Sequence, residues 1–338
     1  MQRRWIYKPI PSGNEVETLS NSINVNTHLS TVLWQRGIRD FETAKNYFRP
    51  SLDHLHNPFL LKDMDHAINR LKEAIDKNQK ILVYGDYDVD GTTSVALVYS
   101  YLKSFYHQCD FYLPDRYAEG YGVSEAGIIW ARENNFSLII ALDLGIKAGD
   151  MVKLASHKGI DFIICDHHLP GGEIPNAVAV LDPKREDCHY PYTELSGCGL
   201  GFKLIEAFAK KHRVVDEVYE YLDLVVVSIA SDIVPITDEN RVLAHYGLQK
   251  LNQNPRPGLK ALKEISSTKG DLDISGIVFT LGPRINAAGR VAHARGAVEL
   301  LIAQSEEEAN LLAEKINLKN DIRREFDLSI TEEAVAMI

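Results

Sequence analysis

Residues 81–94 read Ile-Leu-Val-Tyr-Gly-Asp-Tyr-Asp-Val-Asp-Gly-Thr-Thr-Ser. The first four are bulky and apolar, which predicts a buried strand over 81–84, and a helical apolar pattern begins near Thr92. Gly91 allows a tight turn between them, and the N-terminus of the helix favours a bound anion such as phosphate. Because open α/β sheets bind ligands beyond the carboxyl ends of their strands, the segment predicts a strand, a polar site at the turn, and a helix.

The same rhythm of short apolar runs and helical patterns continues along the chain. Further strands are predicted at residues 110–113, 138–142, 162–165 and 178–181. Helical patterns lie between most of them, at 92–106, 124–134 and 148–157. Strands that alternate with helices indicate a parallel sheet covered on both faces. The predicted fold is therefore a doubly wound α/β fold with a mainly parallel five-stranded sheet.

The predicted organisation has four parts. Residues 1–75 form a helical and irregular lead-in, 76–235 the α/β domain, 236–304 a helical extension of its core, and 305–338 the start of a long helix. Ser-Glu-Glu-Glu at 305–308 is a typical capping-box start. The helical pattern then runs to the last residue with no stop signal, so we expect the chain to be part of something longer.

Composition excludes several classes of protein. With 45% hydrophobic and 25% charged residues the chain is typical of globular proteins. No run of eighteen apolar residues and no apolar signal core occur, which argues against membrane insertion and secretion and favours the cytoplasm. The cysteines lack C-x-x-C spacing, so neither a zinc site nor a disulfide framework is expected. A net charge of −10 argues against general affinity for nucleic acid, although a local basic groove stays possible.

Asp86, Asp88 and Asp90 alternate along the first turn and would repel one another unless cations lie among them. The main alternative is an EF-hand calcium loop, whose D-x-D-x-D-G opening matches. Position twelve of such a loop would be Leu97 instead of a bidentate glutamate, and a strand instead of a helix precedes it. The sequence therefore favours a metal site at a strand end over an EF-hand.

Acidic residues recur where later strands end. Asp143 follows one predicted strand, and Asp166-His167-His168 follows the next. Carboxylate oxygens with one or two imidazoles suit Mn²⁺ or Mg²⁺ better than a metal that prefers thiolates. Asp182 also ends a strand, but Asp-Pro is a common turn and a structural role is expected for it. Asp232 ends an apolar helical run, where a metal or a structural Asn or Arg partner would each satisfy it.

Six segments resemble the DHH phosphoesterase family, and within it the single-strand-specific exonucleases of bacteria. They are 83–94, 113–122, 143–146, 166–170, 228–232 and 282–290. The resemblance implies a centre of two divalent cations, Mn²⁺ or Mg²⁺, with a bridging Asp143. The further direct ligands that it implies are Asp88, Asp90, His167 and Asp232. By the same resemblance, Asp86 supports the first cation, His168 faces the scissile phosphate, and Asp166 orients the histidines.

The resemblance also implies a reaction: hydrolysis of single-stranded DNA from the 5′ end, by water that two cations activate, in DNA repair and recombination. It implies a following DHHA1 domain and oligonucleotide-binding fold, and it allows a single-strand-binding protein and a helicase as partners. Two alternatives stay open: a DHH hydrolase of short oligonucleotides, cyclic dinucleotides or pyrophosphate, and a non-catalytic replication scaffold.

Binding of a single strand requires cations along a groove and aromatic faces for stacking. The candidates that the sequence offers are Arg116, Tyr117, Tyr121, Arg284 and Arg290. For Arg284 a structural role, joining the core to the terminal helix, is an equally good interpretation.

Overall fold

The computed structural model describes residues 4–9, 11–212, 216–291 and 293–337. The first residue of the predicted lead-in, residue 1, and the last residue of the predicted long helix, residue 338, lie outside the described residues. Helices make up most of the described residues. Their bounds are α1 Gly13–Ile23, α2 Thr27–Gln35, α3 Phe41–Phe48, α4 Met64–Asp76, α5 Val89–Lys103, α6 Glu125–Glu133, α7 Gly149–His157, α8 Gly197–His212, α9 Leu222–Ser231, α10 Asp238–Gln253, α11 Pro257–Ile265, α12 Ile274–Gly276, α13 Gly282–Val291, α14 Arg295–Ile302 and α15 Glu306–Ala336. Short 3-10 turns lie at Leu52–His54, Pro58–Leu60 and Asp216–Tyr221, and a π-helical turn at Ile277–Leu281.

All five predicted strands are present and pair in the order β2-β1-β3-β4-β5. Every pairing is parallel, so the predicted α/β fold is confirmed. Their bounds are β1 Lys80–Gly85, β2 Cys109–Tyr112, β3 Phe136–Leu142, β4 Asp161–Cys165 and β5 Ala179–Leu181. Gly85 lies opposite Leu142, which lies opposite Cys165, so the segments that follow β1, β3 and β4 leave the sheet side by side.

Alternate residues of the strands enter two different cores, as a sheet covered on both faces requires. In β1, Ile81 and Val83 pack in the larger core with residues of α4, α5, α8 and α9. Leu82 and Tyr84 point to the other face, into a smaller core with residues of α6 and α7. The helices therefore flank the sheet in two layers, and its carboxyl edge stays open for a site.

The turn between β1 and α5 is set by one capping interaction and one close backbone approach. Asp88 is the N-cap of α5, and its Oδ1 accepts a hydrogen bond from the backbone N of Gly91 at 3.0 Å. A Cβ atom on Gly91 would lie 2.5 Å from the carbonyl oxygen of Asp86. Only glycine therefore lets the first turn of α5 lie directly against the strand end.

The larger core is a single cluster of packed side chains, whose first residue along the chain is Leu61 and whose last is Ile316. It includes apolar side chains of α4, which precedes the sheet, and of α9 to α15, which follow it. The four-part division predicted above stays a prediction. None of the described helices is long and apolar enough to cross a membrane. All four cysteines are free.

Candidate metal centre

Asp143 lies at the middle of the cleft, directly after β3, and is 3% exposed. Its backbone φ is +63°, a left-handed conformation that aspartate tolerates better than most residues. Its backbone N donates a hydrogen bond to the carbonyl oxygen of Cys165 at 2.9 Å, which ties this turn to the end of β4. Burial, and then the nearby carboxylates of Asp90 and Asp88, raise the pKa of Asp143 well above its ordinary value.

His167 lies opposite and faces three carboxylates through one ring nitrogen. Its Nε2 is 3.1 Å from Oδ1 of Asp143, and 3.7 Å from Oδ2 of both Asp90 and Asp232. Burial lowers the pKa of His167, which favours a neutral ring. A neutral imidazole nitrogen that faces carboxylates is a competent metal ligand.

A second group lies on the other side of Asp143, in the turn after β1. One carboxylate oxygen each of Asp86, Asp88 and Asp143 lies within 4.8 Å of the others. Burial, and next the charge of Asp88, raise the pKa of Asp86 to about 7. Burial and the charge of Asp90 likewise raise the pKa of Asp88. These carboxylates lack a nearby positive charge strong enough to offset their burial.

Asp90 differs from its neighbours because three donors of the protein hold its carboxylate. Its Oδ2 accepts from the backbone N of Gly197 at 2.7 Å, and its Oδ1 from that of Cys198 at 2.8 Å. Ser228 of α9 donates its hydroxyl to the same Oδ1 at 2.7 Å. Asp90 therefore joins the first turn of α5 to the N-terminus of α8 and to α9, whatever else it binds.

Asp166 accepts hydrogen bonds from one of the two histidines that follow it. Its Oδ1 lies 2.7 Å from Nδ1 of His168 and accepts from the backbone N of that residue at 3.1 Å, while its Oδ2 accepts from the backbone N of Ile146 at 2.9 Å. Burial alone would raise the pKa of Asp166, but the bond with His168 and the two backbone bonds lower it overall. That bond in turn raises the pKa of His168.

The residues of the cleft fit divalent cations. Three of their buried polar atoms have no hydrogen-bond partner among the described residues: Oδ1 of Asp86, Oδ1 of Asp143 and Nδ1 of His167. Two clusters of possible ligands share Asp143, and a third cluster joins Asp90, His167 and Asp232. Buried carboxylates that lack partners cost free energy unless a cation compensates them. The arrangement can therefore hold cations on both sides of Asp143.

The structure places the two ambiguous aspartates differently. Asp232, at the C-terminal end of α9, has a side chain that is 31% exposed and faces His167; among the described residues it has neither an Asn nor an Arg hydrogen-bond partner. Burial raises its pKa to about 7. Asp182 accepts from the backbone N of Lys184 at 2.7 Å and belongs to none of the clusters of possible ligands found among the described residues.

The candidate strand-binding residues lie beside the acidic cleft. The guanidinium of Arg116 lies over the ring of Tyr87 at 5.0 Å. The exposed ring of Tyr121 makes edge contacts with both Tyr87 and His168, each at a centroid distance of 6.4 Å. Tyr117 is exposed and donates its hydroxyl to the carbonyl oxygen of Arg290 at 2.8 Å.

Arg284 and Arg290 lie on the same helix, α13, but in different surroundings. Arg284 donates from Nε to Oδ1 of Asn317 in α15 at 2.9 Å and from Nη1 to the carbonyl oxygen of Thr280 at 2.8 Å. Arg290 has an exposed side chain and lines a groove with Val89 and Ser231. The structure thus shows Arg284 joining α13 to α15, whereas the guanidinium of Arg290 has no hydrogen-bond or ion-pair partner in the part of the chain that the structure describes.

Several residues that shape the cleft were not singled out by the sequence analysis. The hydroxyl groups of Ser228 and Ser196 are hydrogen-bonded to each other behind Asp90, with 2.6 Å between their Oγ atoms. A Cβ atom on Gly197 would lie 2.6 Å from Cβ of Asp143. Helix α8 begins at this glycine. Ser228 opens the segment 228–232 that carries the resemblance, but nothing in the sequence marks Ser196.

The chain is similar to known proteins in sequence and in fold. Residues 80–229 match the DHH family, N-terminal domain. The chain is 38% identical over 329 residues to the single-stranded-DNA-specific exonuclease RecJ of Bacillus subtilis, covering 97% of this chain and 41% of that protein. It is also similar to the crystal structure of RecJ in complex with Mn²⁺ from Thermus thermophilus, with a TM-score of 0.82 and 25% identity over 96% of this chain and 46% of that one.

A second crystal structure, of an exonuclease RecJ bound to manganese, matches with a TM-score of 0.77 and 28% identity. That match covers 85% of this chain and 72% of the other. The chain spans about half of the curated relatives that it matches, between 41% and 54% of their lengths.

Proposed function

We propose, because this chain belongs to the DHH family, that it is the catalytic part of a metal-dependent exonuclease of single-stranded DNA. The reaction is hydrolysis of phosphodiester bonds from the 5′ end, in DNA repair and recombination. One observation carries the proposal: buried carboxylates and an imidazole lie on both sides of Asp143, with ligand atoms that lack protein partners. The similarity to proteins named as single-stranded-DNA-specific exonucleases supports the choice of substrate.

The residues would divide between two cation positions, Mn²⁺ or Mg²⁺. Asp86, Asp88 and Asp143 would hold one cation, and Asp90, His167 and Asp232 the other, with Asp143 close to both positions. When bound, such cations supply Lewis-acid chemistry: they lower the pKa of water, polarise the phosphate and stabilise the leaving oxygen. The protein contributes position, because strand ends and the left-handed turn at Asp143 fix the ligands before substrate arrives.

His168 and Asp166 would act on the phosphate side of the cleft. The side chain of His168 is 43% exposed, and its raised pKa favours the charged imidazolium near neutrality. An imidazolium facing the scissile phosphate can neutralise its charge and donate a proton to the leaving oxygen. Asp166 would keep the ring in one orientation, because Nδ1 is bound to its carboxylate and Nε2 stays free.

The single strand would approach across the aromatic side of the cleft. Arg116 and Arg290 offer charge to phosphates, and Tyr117 and Tyr121 offer exposed rings on which bases can stack. Arg284 would not contact the DNA, because its guanidinium already donates hydrogen bonds to Asn317 of α15 and to Thr280.

A nuclease assay tests the proposal with a variant of Asp143 that can keep the left-handed backbone conformation of this residue. Asp143→Asn removes the shared charge but keeps a side chain that tolerates positive φ, so the turn should survive. Wild type with Mn²⁺ should release mononucleotides from a 5′-labelled single strand, and the variant should be at least about a thousandfold slower. EDTA should abolish the wild-type activity. Release from the 3′ end, or undiminished activity of the variant, contradicts the proposal.

The same assay separates the alternatives. Cleavage of dinucleotides and trinucleotides without cleavage of longer strands would indicate a hydrolase of short oligonucleotides. Absence of both Mn²⁺ binding and cleavage would indicate a scaffold. A single-strand-binding protein and a helicase as partners, and a cytoplasmic location, belong to the same proposal because the substrate arises during DNA repair.

A further inference from the structure

We propose that a second surface, the lateral groove, binds the phosphodiester backbone of a single strand outside the metal centre. The groove lies between the edge strand β2, helix α6 and the helices α14 and α15. It has a volume of about 480 Å³. The lining residues on which the proposal depends are Tyr112, Trp130, Arg295, Glu299, Lys315 and Lys319. The inference rests on the proposed function for the identity of the ligand, but its test does not need catalysis.

The charge of the lateral groove is opposite to that of the whole chain. Arg295, Lys315 and Lys319 contribute three positive charges, and Glu299 contributes the single negative one. The net formal charge of the lining is therefore +2 with histidine neutral, on a protein whose net charge is −10. A cationic groove on an acidic protein attracts a polyanion locally while the rest of the surface repels it.

The two lysines of α15 differ from the two at the C-terminal end of α4. There Lys72 pairs with Asp76 at 2.8 Å, and the C-cap residue Lys77 pairs with Glu73 at 2.6 Å. Among the described residues no acidic group lies within ion-pair distance of Lys315 or Lys319. Both ammonium groups are thus available to bind phosphate oxygens.

The groove also has an aromatic wall. Lysines that merely solvate the surface of a helix would not be expected to lie beside such a wall. Tyr112 and Trp130 line it at a ring-centroid distance of 5.2 Å. Trp130 is stacked in turn on Phe136 at 5.4 Å, so its ring is held in place from behind. A fixed, partly exposed indole beside cations is the combination that single-stranded nucleic acids use for base stacking and backbone contact.

The groove continues the path that leads from the metal centre. Tyr117, four residues after Leu113, reaches Arg290 through its hydroxyl, and His293 and Arg295 follow Arg290 along the chain. The guanidinium of Arg295 lies over the ring of Phe111 in β2 at 4.5 Å, which fixes it at the mouth of the groove. These contacts connect residues beside the metal centre with the mouth of the groove, and this is the route that the proposal assigns to the bound strand.

Binding without turnover tests the inference. The double variant Lys315→Ala, Lys319→Ala is compared with Lys72→Ala, Lys77→Ala, which changes the net charge equally on α4. The probe is fluorescein-labelled dT20 in EDTA, measured by anisotropy from 50 to 300 mM NaCl. Two lost phosphate contacts should lower the slope of log K against log salt by about 1.4 and weaken binding about tenfold at 0.1 M. The α4 variant should match wild type.

The outcomes separate this inference from the proposed function. Equal affinity and equal salt slope for the α15 variant and wild type would overturn the groove, even if wild type degrades DNA. A labelled peptide of twenty glutamates that loses binding in the α15 variant while dT20 does not would also overturn it, because the surface would then serve an acidic protein. A weaker dT20 complex in the α15 variant supports the groove even if nuclease activity is absent.

With Mn²⁺, hydrolysis of a trinucleotide should be unchanged in the α15 variant, because that substrate occupies only the metal centre. The KM for dT20 should rise about tenfold in the same variant with kcat retained. An equal loss on both substrates would show damage to the centre and would count against a separate groove.

Discussion

At the scale of single residues, the cleft concentrates negative charge that the fold does not neutralise. Asp86 is 2% exposed and has a buried Oδ1 without a hydrogen-bond partner among the described residues. Burial and the neighbouring Asp88 raise its pKa to about 7. The metal-free protein therefore takes up protons when it folds at mildly acidic pH, and the charged form becomes costly as the pH rises.

This charge predicts how the stability of the metal-free protein depends on pH. In the folded state the pKa of Asp86 is about 7, above its ordinary value of 3.8. Between these values the folded state binds more protons than the unfolded state, so the free energy of unfolding falls as the pH rises through this window. In EDTA, the Asp86→Asn variant should remove on the order of 2 kcal/mol of the decrease seen between pH 5 and pH 8.

Urea unfolding at several pH values in EDTA measures the effect. His168, whose raised pKa makes it lose stabilisation as the pH rises, titrates in both proteins, so only the difference between the curves is assigned to Asp86. Asp150, exposed at the start of α7, supplies the control, and Asp150→Asn should give a curve parallel to wild type. Parallel curves for wild type and Asp86→Asn would contradict the prediction.

The pair of Asp166 and His168 gives a second prediction at this scale. The hydrogen bond from Asp166 is the main cause of the raised pKa of His168. In Asp166→Asn that pKa should fall, so the imidazolium is lost at lower pH. With Mn²⁺, kcat between pH 6 and pH 9 should decrease about 10- to 100-fold, and its descending limb should move to lower pH. A uniform loss with an unmoved limb would assign Asp166 a purely structural role.

The site was predictable at residue level where chemistry follows a strand end. Asp86, Asp143 and Asp166 each come directly after a buried strand, and parallel pairing alone brings them to one edge. Asp232 was harder, because its position depends on how α9 packs on α5. The partner of Asp166 was not predictable either: the backbone turn decides that His168, and not His167, bonds it.

At the scale of elements, the N-terminus of α8 is part of the cleft. The backbone N–H groups of Gly197 and Cys198 donate to Asp90, and the α-carbon of Gly197 lies against Asp143. A Cβ atom at residue 197 would lie 2.6 Å from Cβ and 2.8 Å from Oδ1 of Asp143. Neither contact is possible without movement of the turn after β3, and the turn carries the shared ligand.

Gly197→Ala should therefore impair catalysis more than folding. A displacement of Asp143 by less than an ångström should lower kcat about a hundredfold and weaken Mn²⁺ binding. Gly199→Ala is the matched control, since its Cβ atom would meet Ser196 and Leu195 at 3.4 Å or more, in ordinary contact. Calorimetric titration with Mn²⁺ and the nuclease assay provide the measurements. Equal activity of the two variants would contradict the prediction, because the turn after β3 could then move without any effect on catalysis.

Elements were predicted well where the apolar pattern is strong and less well where capping decides. The five strands were expected within two residues of their observed bounds, because all but the edge strand β2 are almost completely buried on both faces. The helix expected from Thr92 begins at Val89, because Asp88 caps it while Gly91 lets it approach the strand. The region before the sheet contains α1 to α4, of which α4 packs in the larger core through contacts the sequence does not reveal.

At the scale of the whole molecule, a buried ionic network joins three distant parts of the chain. Lys203 of α8 is fully buried, with its Nζ 2.6 Å from Glu239 of α10 and 3.0 Å from Glu206. It also donates to the carbonyl oxygen of His56 at 3.0 Å, which lies before α4. Tyr190 donates its hydroxyl to Glu239 at 2.6 Å. The lead-in, α8 and α10 therefore share one set of charges.

Replacement of the buried Lys203 should lower the free energy of unfolding far more than replacement of the partly exposed Lys210. Lys203→Met keeps the volume but leaves Glu239 buried without a counter-charge, at a cost of about 3–5 kcal/mol in the free energy of unfolding. Lys210 pairs with the same Glu206 at 2.8 Å but has a side chain that is 35% exposed, so Lys210→Ala should cost about 1 kcal/mol or less. Urea unfolding at pH 7 compares the two variants. A cost below about 1 kcal/mol for Lys203→Met would contradict the prediction, because protonation of Glu239 or water would then replace the lost ammonium group.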